Sequence, residues 1–176
     1  DVCSSDLPFA TRESLPSIRE RELEEACKVI GITDLRKMGL RDKTVEFEPY
    51  EHIDGMIKSL IDDTNPSLII SFYPGYAVHP DHEATADAVI RTVERMPKEE
   101  RPRLTLVAFS NDATEALGEP DVQNDITDFK ELKIKAFEAH ASQTGPFLKQ
   151  LASPEIDGKQ HSFLTVEPYW TYHFKS

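Results

Sequence analysis

The chain has 176 residues, of which 39% are hydrophobic and 30% are charged, and this balance fits one soluble globular domain with its own core. Its 20 Lys and Arg residues face 32 Asp and Glu residues, and the net charge of -12 argues against nucleic acid or an anionic membrane as main partner. No apolar run approaches the roughly 18 residues of a membrane span, and two cysteines make no disulfide framework, so we expect a cytoplasmic protein.

The first seven residues, DVCSSDL, differ in character from the sequence that follows them. They can be encoded by GAC-GTG-TGC-TCT-TCC-GAT-CT, which matches the end of a common sequencing-library adapter. We therefore interpret residues 1–7 as translated adapter, and residues 8–176 as one α/β domain that is incomplete at its N-terminus. A natural loop of unusual composition is the alternative, and a genomic read through DVCSSDL to a nearby start codon would favour it.

Hydrophobic periodicity predicts amphipathic helices in four segments, which are residues 13–30, 50–63, 80–94 and 128–140. Gly31 is a suitable C-terminal residue for the first helix, and Asn65–Pro66 ends the second. The inward faces predicted for the first and last of these helices are Leu15, Ile18, Leu23, Ala26, Cys27 and Ile30, and Phe129, Leu132, Ala136 and Phe137.

Strands are predicted over residues 34–39, 67–73 and 104–109, and the aromatic tail FLTVEPYWTYHF also resembles a strand. The segment 67–73 is short and apolar on both faces, which is typical of a central parallel strand. Helix and strand alternate at βαβ spacing, which predicts a three-layer, Rossmann-like α/β fold with a mostly parallel sheet. In such sheets ligands bind beyond the carboxyl ends of the strands. The stretch YAVHPDHEA, residues 76–84, lies at such a strand end.

Two histidines in this stretch are not explained by a helix start. Pro80 suits the first helical position, and Asp81 and Glu83 complement the positive end of the helix. The same positive end disfavours an imidazolium, so His79 and His82 are expected to be neutral and able to bind a metal or to transfer protons. Their spacing of three residues lets both face one pocket. The pair, together with Asp81, therefore indicates a functional site.

These residues alone do not complete a zinc site, since a catalytic zinc usually takes three protein ligands and a water. The remaining histidines have no compelling ligand spacing, and we expect them at the surface or behind the ligands: His52, His140, His161 and His173.

An apolar strand followed by HPDH and a helix resembles the PIG-L/LmbE family of zinc deacetylases. The helix RERELEEACKVIGI, the turn with Gly39, Arg41 and Asp42, and the word AHASQ resemble the same family. The longer words PFATRESL, SFYPGYAVHPDH, PDVQND and EPYWTY resemble its bacillithiol-biosynthesis branch more narrowly. The resemblance covers nearly the whole chain after Leu7.

The resemblance implies zinc-dependent hydrolysis of the N-acetyl group of a small glycoside, an N-acetylglucosaminyl conjugate. In the bacillithiol branch the substrate would be N-acetylglucosaminyl malate, and the products would be acetate and the free amine. His82 would be a zinc ligand. His79 would face the scissile amide, where it stabilises the oxyanion or assists proton transfer, and Asp81 would orient or charge its imidazole.

Substrate contacts are also implied by the resemblance. Arg41 and Asp42 correspond to a sugar-contacting turn, and Tyr76 is placed as a hydroxyl that lines the pocket. Arg41 also suits a malate carboxylate, which a guanidinium can bind with two hydrogen bonds. A solvated turn is the alternative interpretation for Arg41 and Asp42.

The family also carries an HPDDE-type motif after its first strand, and this motif supplies the other zinc ligands and a carboxylate base. The chain has no such motif. The resemblance therefore implies that the first strand and helix are absent, that the other ligands of the single Zn²⁺ lie upstream, and that this fragment is inactive. Homo-oligomers occur in the family and are compatible with the sequence.

Two other functions fit parts of the sequence. A non-catalytic α/β binding module could retain half a metal site. A metal-free hydrolase could use the His79–Asp81 pair as its base, but no G-x-S-x-G motif supports a nucleophile. A His-Pro-Asp-Asp word upstream would favour the deacetylase.

Overall fold

The structure is a computed structural model that describes residues 13–151 and 158–174. In chain order its helices and strands are α1 (Leu15–Ile30), α2 (Tyr50–Thr64), β1 (Leu68–Phe72), α3 (Pro80–Glu94), β2 (Arg103–Val107), α4 (Ala113–Leu117), β3 (Val122–Asp125), α5 (Lys130–Ala139), α6 (Ala141–Leu151), α7 (Gly158–Thr165) and β4 (Val166–Thr171). Single 3-10 turns occur at Val45–Phe47, Lys98–Glu100 and Thr127–Phe129. Among the described residues, no helix has the length and apolar character needed to cross a membrane.

The described residues divide into two compact units, one within residues 13–37 and 124–167 and the other within residues 38–123 and 168–174. The first unit is helical over most of its described residues, and α5 packs against α1, α6 and α7. An aromatic cluster of Phe137, Phe147 and Phe163, with ring centroids 5.2 to 5.6 Å apart, joins three of these helices. Glu22 of α1 accepts a hydrogen bond from the backbone N–H of Ser142 at 2.8 Å, which satisfies a free donor in the first turn of α6.

The second unit contains β1, β2 and the helices α2, α3 and α4. Its apolar core is formed by Val45, Ile53, Ile57, Ile61, Ala88, Val89, Ile90, Val93, Leu104 and Leu106. The inward residues of α2 and α3 recur every three or four positions, which is the amphipathic pattern that the sequence predicts. The bounds of α3 are those predicted, and Asn65 ends α2 in the left-handed conformation.

Four strands form one mixed sheet with the order β1-β2-β4-β3. Strands β1 and β2 are parallel, with Leu68 opposite Arg103 and Phe72 opposite Val107. Strand β4 runs antiparallel to β2, with Thr105 opposite Thr171. The α/β class is therefore confirmed, whereas a mostly parallel sheet is not what the described strands form, because the C-terminal segment returns along β2 in the opposite direction.

Strand β1 lies at the edge of this sheet and is not central as predicted. Leu68 is 37% exposed and Ile70 is 57% exposed, so the apolar run is covered on one face only. The parallel pairing with β2 is correct, but the apolar pattern did not distinguish a strand with two neighbours from a strand with one.

The strand predicted over residues 34–39 is wrong, because the backbone there is irregular. Among the described residues no strand pairs with this segment, and a strand without a hydrogen-bonded neighbour has no ladder to stabilise it. Its side chains are held by local ion pairs: Arg36 bonds Asp34, and Lys37 reaches Glu20 and Glu24 of α1.

Several predicted inward side chains are exposed. Ile30 is exposed because α1 ends there, and Gly31 follows in the left-handed conformation. Phe129 and Leu132 are also exposed, and Phe129 belongs to a 3-10 turn that precedes α5. The aromatic tail is a strand only from Val166, because the residues before it complete α7. Cys27 is buried, as expected, while Cys3 and residues 1–7 lie outside the described residues.

Candidate functional site

The candidate site is centred on the loop between β1 and α3, where the parallel strands end. Tyr73 N–H donates to the carbonyl of Val107, and the carbonyl of Tyr76 accepts from the N–H groups of Phe109 and Ser110. The loop is therefore bonded to the segment that follows β2, at the carboxyl edge of both strands. This is the position where α/β sheets bind their ligands.

His79 is the N-cap residue of α3, with extended backbone dihedrals of φ -112° and ψ 135°. Its Nδ1 accepts a hydrogen bond from the backbone N–H of Asp81 at 3.2 Å. Since Nδ1 is an acceptor, a neutral ring carries its proton on Nε2. His79 therefore presents an N–H donor rather than a bare nitrogen.

His82 has the opposite arrangement. Its Nδ1 lies 3.3 Å from the carbonyl oxygen of Ala77, and because a carbonyl can only accept, Nδ1 must carry the proton. The ring stacks on Phe72, with centroids 4.2 Å apart and an angle of 11° between the planes. The unprotonated Nε2 of His82 is thus left for a ligand, and a backbone carbonyl behind the ring is the usual support of a metal-binding histidine.

Asp81 connects the start of α3 to the turn that contains Arg41. Its Oδ2 accepts from the N–H of Lys43 at 2.6 Å and its Oδ1 accepts from the N–H of Val45 at 3.1 Å. The carboxylate is buried, and both of its oxygens face backbone donors. Lys43 has a positive φ of 62°, so this turn is tightly held in an uncommon conformation.

One group of potential metal-binding side chains is found among the described residues, namely Asp42, His79 and Asp81, with ligand atoms within 4.8 Å of one another. The hydrogen bonds favour a different division of roles. Asp81 already accepts two backbone N–H groups and Nδ1 of His79 accepts a third, so the polar atoms of these two residues are engaged within the protein. His82, outside the group, has the arrangement that suits Zn²⁺, for which a histidine nitrogen is a common ligand.

The predicted site residues thus all lie in one unit. His79, Asp81 and Asp42 are brought together, and the ring centroids of His79 and His82 are 5.1 Å apart. Arg41 is an exposed residue whose carbonyl accepts from Thr44, and Tyr76 packs edge-on against Tyr73 at 5.7 Å.

Other histidines have other positions. His52 is exposed on α2, His173 is exposed after β4, and His140 belongs to the helical unit. The side chain of His161 lies outside the described residues.

Sequence reasoning missed three partners that shape the site. The backbone N–H groups of Lys43 and Val45 donate to the Asp81 carboxylate. No sequence pattern predicts a contact between residues 36 or 38 positions apart. Glu83 was explained by the helix dipole alone, yet its carboxylate also accepts hydrogen bonds from the loop before α3.

Comparison with known proteins gives the class to which this fold and site belong. The family model described as "PIG-L: GlcNAc-PI de-N-acetylase" matches residues 4–93, and the chain belongs to this family. The resemblance predicted from HPDH and its accompanying words is confirmed, and so is the class of enzyme, an N-deacetylase.

Two curated relatives share most of the sequence. The chain is 46% identical over 170 residues to "Probable N-acetyl-alpha-D-glucosaminyl L-malate deacetylase 2" of Bacillus anthracis, covering 96% of this chain and 75% of that protein. It is 45% identical over 166 residues to the protein of the same name from Bacillus subtilis (strain 168), covering 93% and 75%.

A solved structure supports the fold. It is the N,N'-diacetylchitobiose deacetylase from Pyrococcus horikoshii in complex with its inhibitor MPG, with a TM-score of 0.66, 22% identity, and coverage of 97% of this chain and 69% of that one.

Proposed function

We propose that the site around His79 and His82 belongs to a zinc-dependent deacetylase that hydrolyses the N-acetyl group of N-acetylglucosaminyl malate in bacillithiol biosynthesis. The substrate assignment is supported by the names of the two Bacillus relatives, which share 46% and 45% of their aligned residues with this chain. The metal is supported by the Nε2 of His82, which the contact of Nδ1 with the Ala77 carbonyl leaves for a ligand, and by the family to which the chain belongs.

The observation that carries the proposal is the opposite hydrogen bonding of two adjacent imidazoles. Nδ1 of His79 accepts from a backbone N–H, whereas Nδ1 of His82 donates to a backbone carbonyl. One ring consequently presents an Nε2–H donor and its neighbour presents a bare Nε2. An amide hydrolase needs both, a donor for the developing oxyanion and a ligand for the metal.

The mechanism follows from these atoms. Zinc held by His82 would supply the Lewis acid that polarises the amide carbonyl and activates water. The Nε2–H of His79 donates to the carbonyl oxygen as negative charge develops on it. Water adds to the carbonyl carbon and gives up a proton, the C–N bond breaks, the nitrogen takes up that proton and leaves as the free amine, and the acyl group leaves as acetate. Asp81 keeps the turn with Asp42 in place beside His79.

Substrate recognition is assigned to the turn and the loop on either side of the histidines. The exposed guanidinium of Arg41 suits the malate carboxylates, and Asp42 suits sugar hydroxyl groups. Tyr76 contributes a hydroxyl from the loop that precedes α3. These roles predict that Arg41→Ala raises KM for the malate conjugate more than for an uncharged N-acetylglucosaminide.

The 176 residues contain one His-Pro-Asp word. Since a catalytic zinc usually takes three protein ligands, and the resemblance supplies the others from an HPDDE-type motif, we propose that this chain by itself releases little acetate. A version that carries such a motif before residue 8 should be active. Equal activity of the two versions would contradict this assignment.

The histidine roles are separated by two variants of the active version. His82→Ala should lose zinc, whereas His79→Ala should keep equimolar zinc and lose about 100-fold or more in kcat, the usual value of one oxyanion donor. Metal analysis and acetate release measure the two effects. His52→Ala is the matched control, because His52 is exposed on α2.

Three results would count against the proposal. Normal turnover by His79→Ala would remove its assigned role, and full zinc content in His82→Ala would remove the metal role of His82. Absence of zinc together with absence of chelator-sensitive acetate release from the unsubstituted active version would favour a non-catalytic binding module.

A further inference from the structure

The loop between β1 and α3 is held by a side chain that the proposed reaction does not use. Glu83, in the first turn of α3, accepts from the N–H of Gly75 at 2.6 Å through Oε2 and from the N–H of Ala77 at 2.8 Å through Oε1. Each carboxylate oxygen therefore has its own donor. Hydrogen bonds to an ionised acceptor are roughly twice as strong as neutral ones, so this contact is an effective anchor for the loop.

Ala77 links Glu83 to His82. Its N–H donates to Glu83, and its carbonyl oxygen accepts from Nδ1 of His82 at 3.3 Å and from the N–H of His79 at 2.8 Å. Ala77 is buried, so its backbone groups depend on these partners rather than on water. The position of the Ala77 carbonyl decides which nitrogen of His82 carries the proton.

The loop adopts this position against a local backbone preference. Val78, between Ala77 and His79, has a positive φ of 68°, a strained conformation that a β-branched residue rarely adopts. Its side chain is exposed, so burial does not offset the strain. Bonds on either side of Val78 must hold it, and those from Gly75 and Ala77 to Glu83 do so on the N-terminal side.

We propose that Glu83 is a positioning residue. By fixing Ala77 it keeps Nδ1 of His82 protonated and Nε2 free to bind the metal. This role rests on the proposed function, in which the unprotonated Nε2 of His82 binds zinc. Glu83 itself touches neither metal nor substrate in this assignment.

The test compares Glu83→Gln with the unsubstituted 176-residue chain, without metal. Glutamine keeps the size of the side chain but presents an NH₂ group to one of the two backbone donors, so one anchor bond must break. Two measurements by NMR report on the role directly: amide hydrogen exchange at Gly75 and Ala77, and the ¹⁵N signals that identify the tautomer of His82.

We expect exchange at Gly75 and Ala77 to become at least tenfold faster and His82 to change from one tautomer to a mixture. In the active version that carries the HPDDE-type motif, zinc titration of Glu83→Gln should show about tenfold weaker binding, the usual effect of losing a partner behind a metal ligand. Glu94→Gln is the control, since it removes one charge from the other end of the same helix. It should leave all three measurements unchanged.

Unchanged exchange at both amides and an unchanged His82 tautomer in Glu83→Gln would overturn the proposal. Circular dichroism establishes that the variants are folded, and Glu83→Asp, which keeps the charge but shortens the reach, provides the same comparison if the glutamine variant does not fold. The zinc titration keeps the two proposals apart. Failure of the unsubstituted active version, which carries the HPDDE-type motif, to bind zinc would count against the metal role of His82, while the metal-free NMR measurements would still decide the role of Glu83.

Discussion

Two identical side chains at the start of α3 acquire different chemistry from their backbone partners. His79 receives an N–H from Asp81 and His82 gives one to Ala77, so the rings present opposite groups at Nε2. The helix start explains the first bond, because an N-cap side chain accepts from an N–H of the first turn. The second bond depends on a loop that doubles back on the helix. Residue identity alone therefore locates the pair but does not assign its two roles.

The position of these residues at the start of α3 was predictable from the sequence. Their hydrogen-bond partners in distant parts of the chain were not. A proline at the first helical position and acidic residues in the first turn mark the start of α3 unambiguously. In contrast, Asp81 finds its donors in a turn that the pattern presents only as polar residues, 36 to 38 positions earlier. Such contacts depend on how the elements pack.

A buried carboxylate in α2 provides a test of stability at the residue scale. Asp54, whose side chain is 6% exposed, accepts from Arg91 at 2.8 and 3.2 Å and from Arg95 at 2.8 Å. Asp54→Ala leaves Arg91 partly buried without its partner. We expect a loss of about 2 kcal/mol in the free energy of unfolding, below the usual cost of breaking a fully buried pair because the arginines can regain water. Urea unfolding measures this change.

Arg95→Ala is the matched control for that prediction. The side chain of Arg95 is 65% exposed, and an exposed ion pair contributes less than about 1 kcal/mol. Asp54 would also keep Arg91 as its partner in this variant. A loss in Asp54→Ala no larger than that in Arg95→Ala would show that burial does not control the energy of this cluster.

At the scale of elements, the predictions that succeeded depend on local signals. Helices α1, α2 and α3 have clear apolar periodicity and residues suited to their ends, and their bounds agree with prediction within two residues. Helix α6 was missed because Gly145 and Pro146 are read as helix breakers, although α6 continues through both. The strand predicted over residues 34–39 failed because a strand requires a neighbour, which a local pattern cannot supply.

The antiparallel strand β4 gives a prediction about pH. The hydroxyl of Thr171 and, at 2.7 Å, its backbone N–H donate to the Asp121 carboxyl, and these bonds lower its pKa below the ordinary value of 3.8. A lowered pKa in the folded state contributes stability above pH 3.8, and this contribution is lost as pH falls through the lowered value. Asp121→Asn should therefore lower the melting temperature by about 1–2 °C at neutral pH. The difference from the unsubstituted chain should shrink in acid.

Melting curves from neutral pH to below pH 3.8 check this prediction. Glu119→Gln removes a charge from the same connection, so a general charge effect would appear in both variants. A gap for Asp121→Asn that stays constant as the pH falls, or that equals the gap for Glu119→Gln, would contradict the assignment of the stability to the bond with Thr171.

At the scale of the whole molecule, sheet order is the feature that the sequence least determined. Strand β4 begins 59 positions after β2 ends, yet β4 and β2 are neighbours in the sheet. Strand β1 has an unpaired outer edge among the described residues, and beside it lies an apolar groove of about 530 Å³ lined by side chains of α2, β1 and α3. The sequence of β1 shows that both of its faces are apolar, but it does not show how many strands pair with it in the sheet.

That edge predicts how copies of this chain behave in solution. An exposed apolar edge strand is a template for pairing with another chain, and lysine on such a strand opposes that pairing. Ile70, 57% exposed on β1, is the residue at which this effect should be largest. We expect Ile70→Lys to reduce concentration-dependent association in sedimentation velocity, although the added positive charge brings the net charge of -12 closer to zero and so weakens general repulsion.

Ile32→Lys is the matched control, because Ile32 is 47% exposed but lies outside the strands. Equal association of the unsubstituted chain and Ile70→Lys would show that the β1 edge does not mediate contact between copies, and an equal decrease in both variants would assign the effect to the added lysine rather than to its place on the sheet.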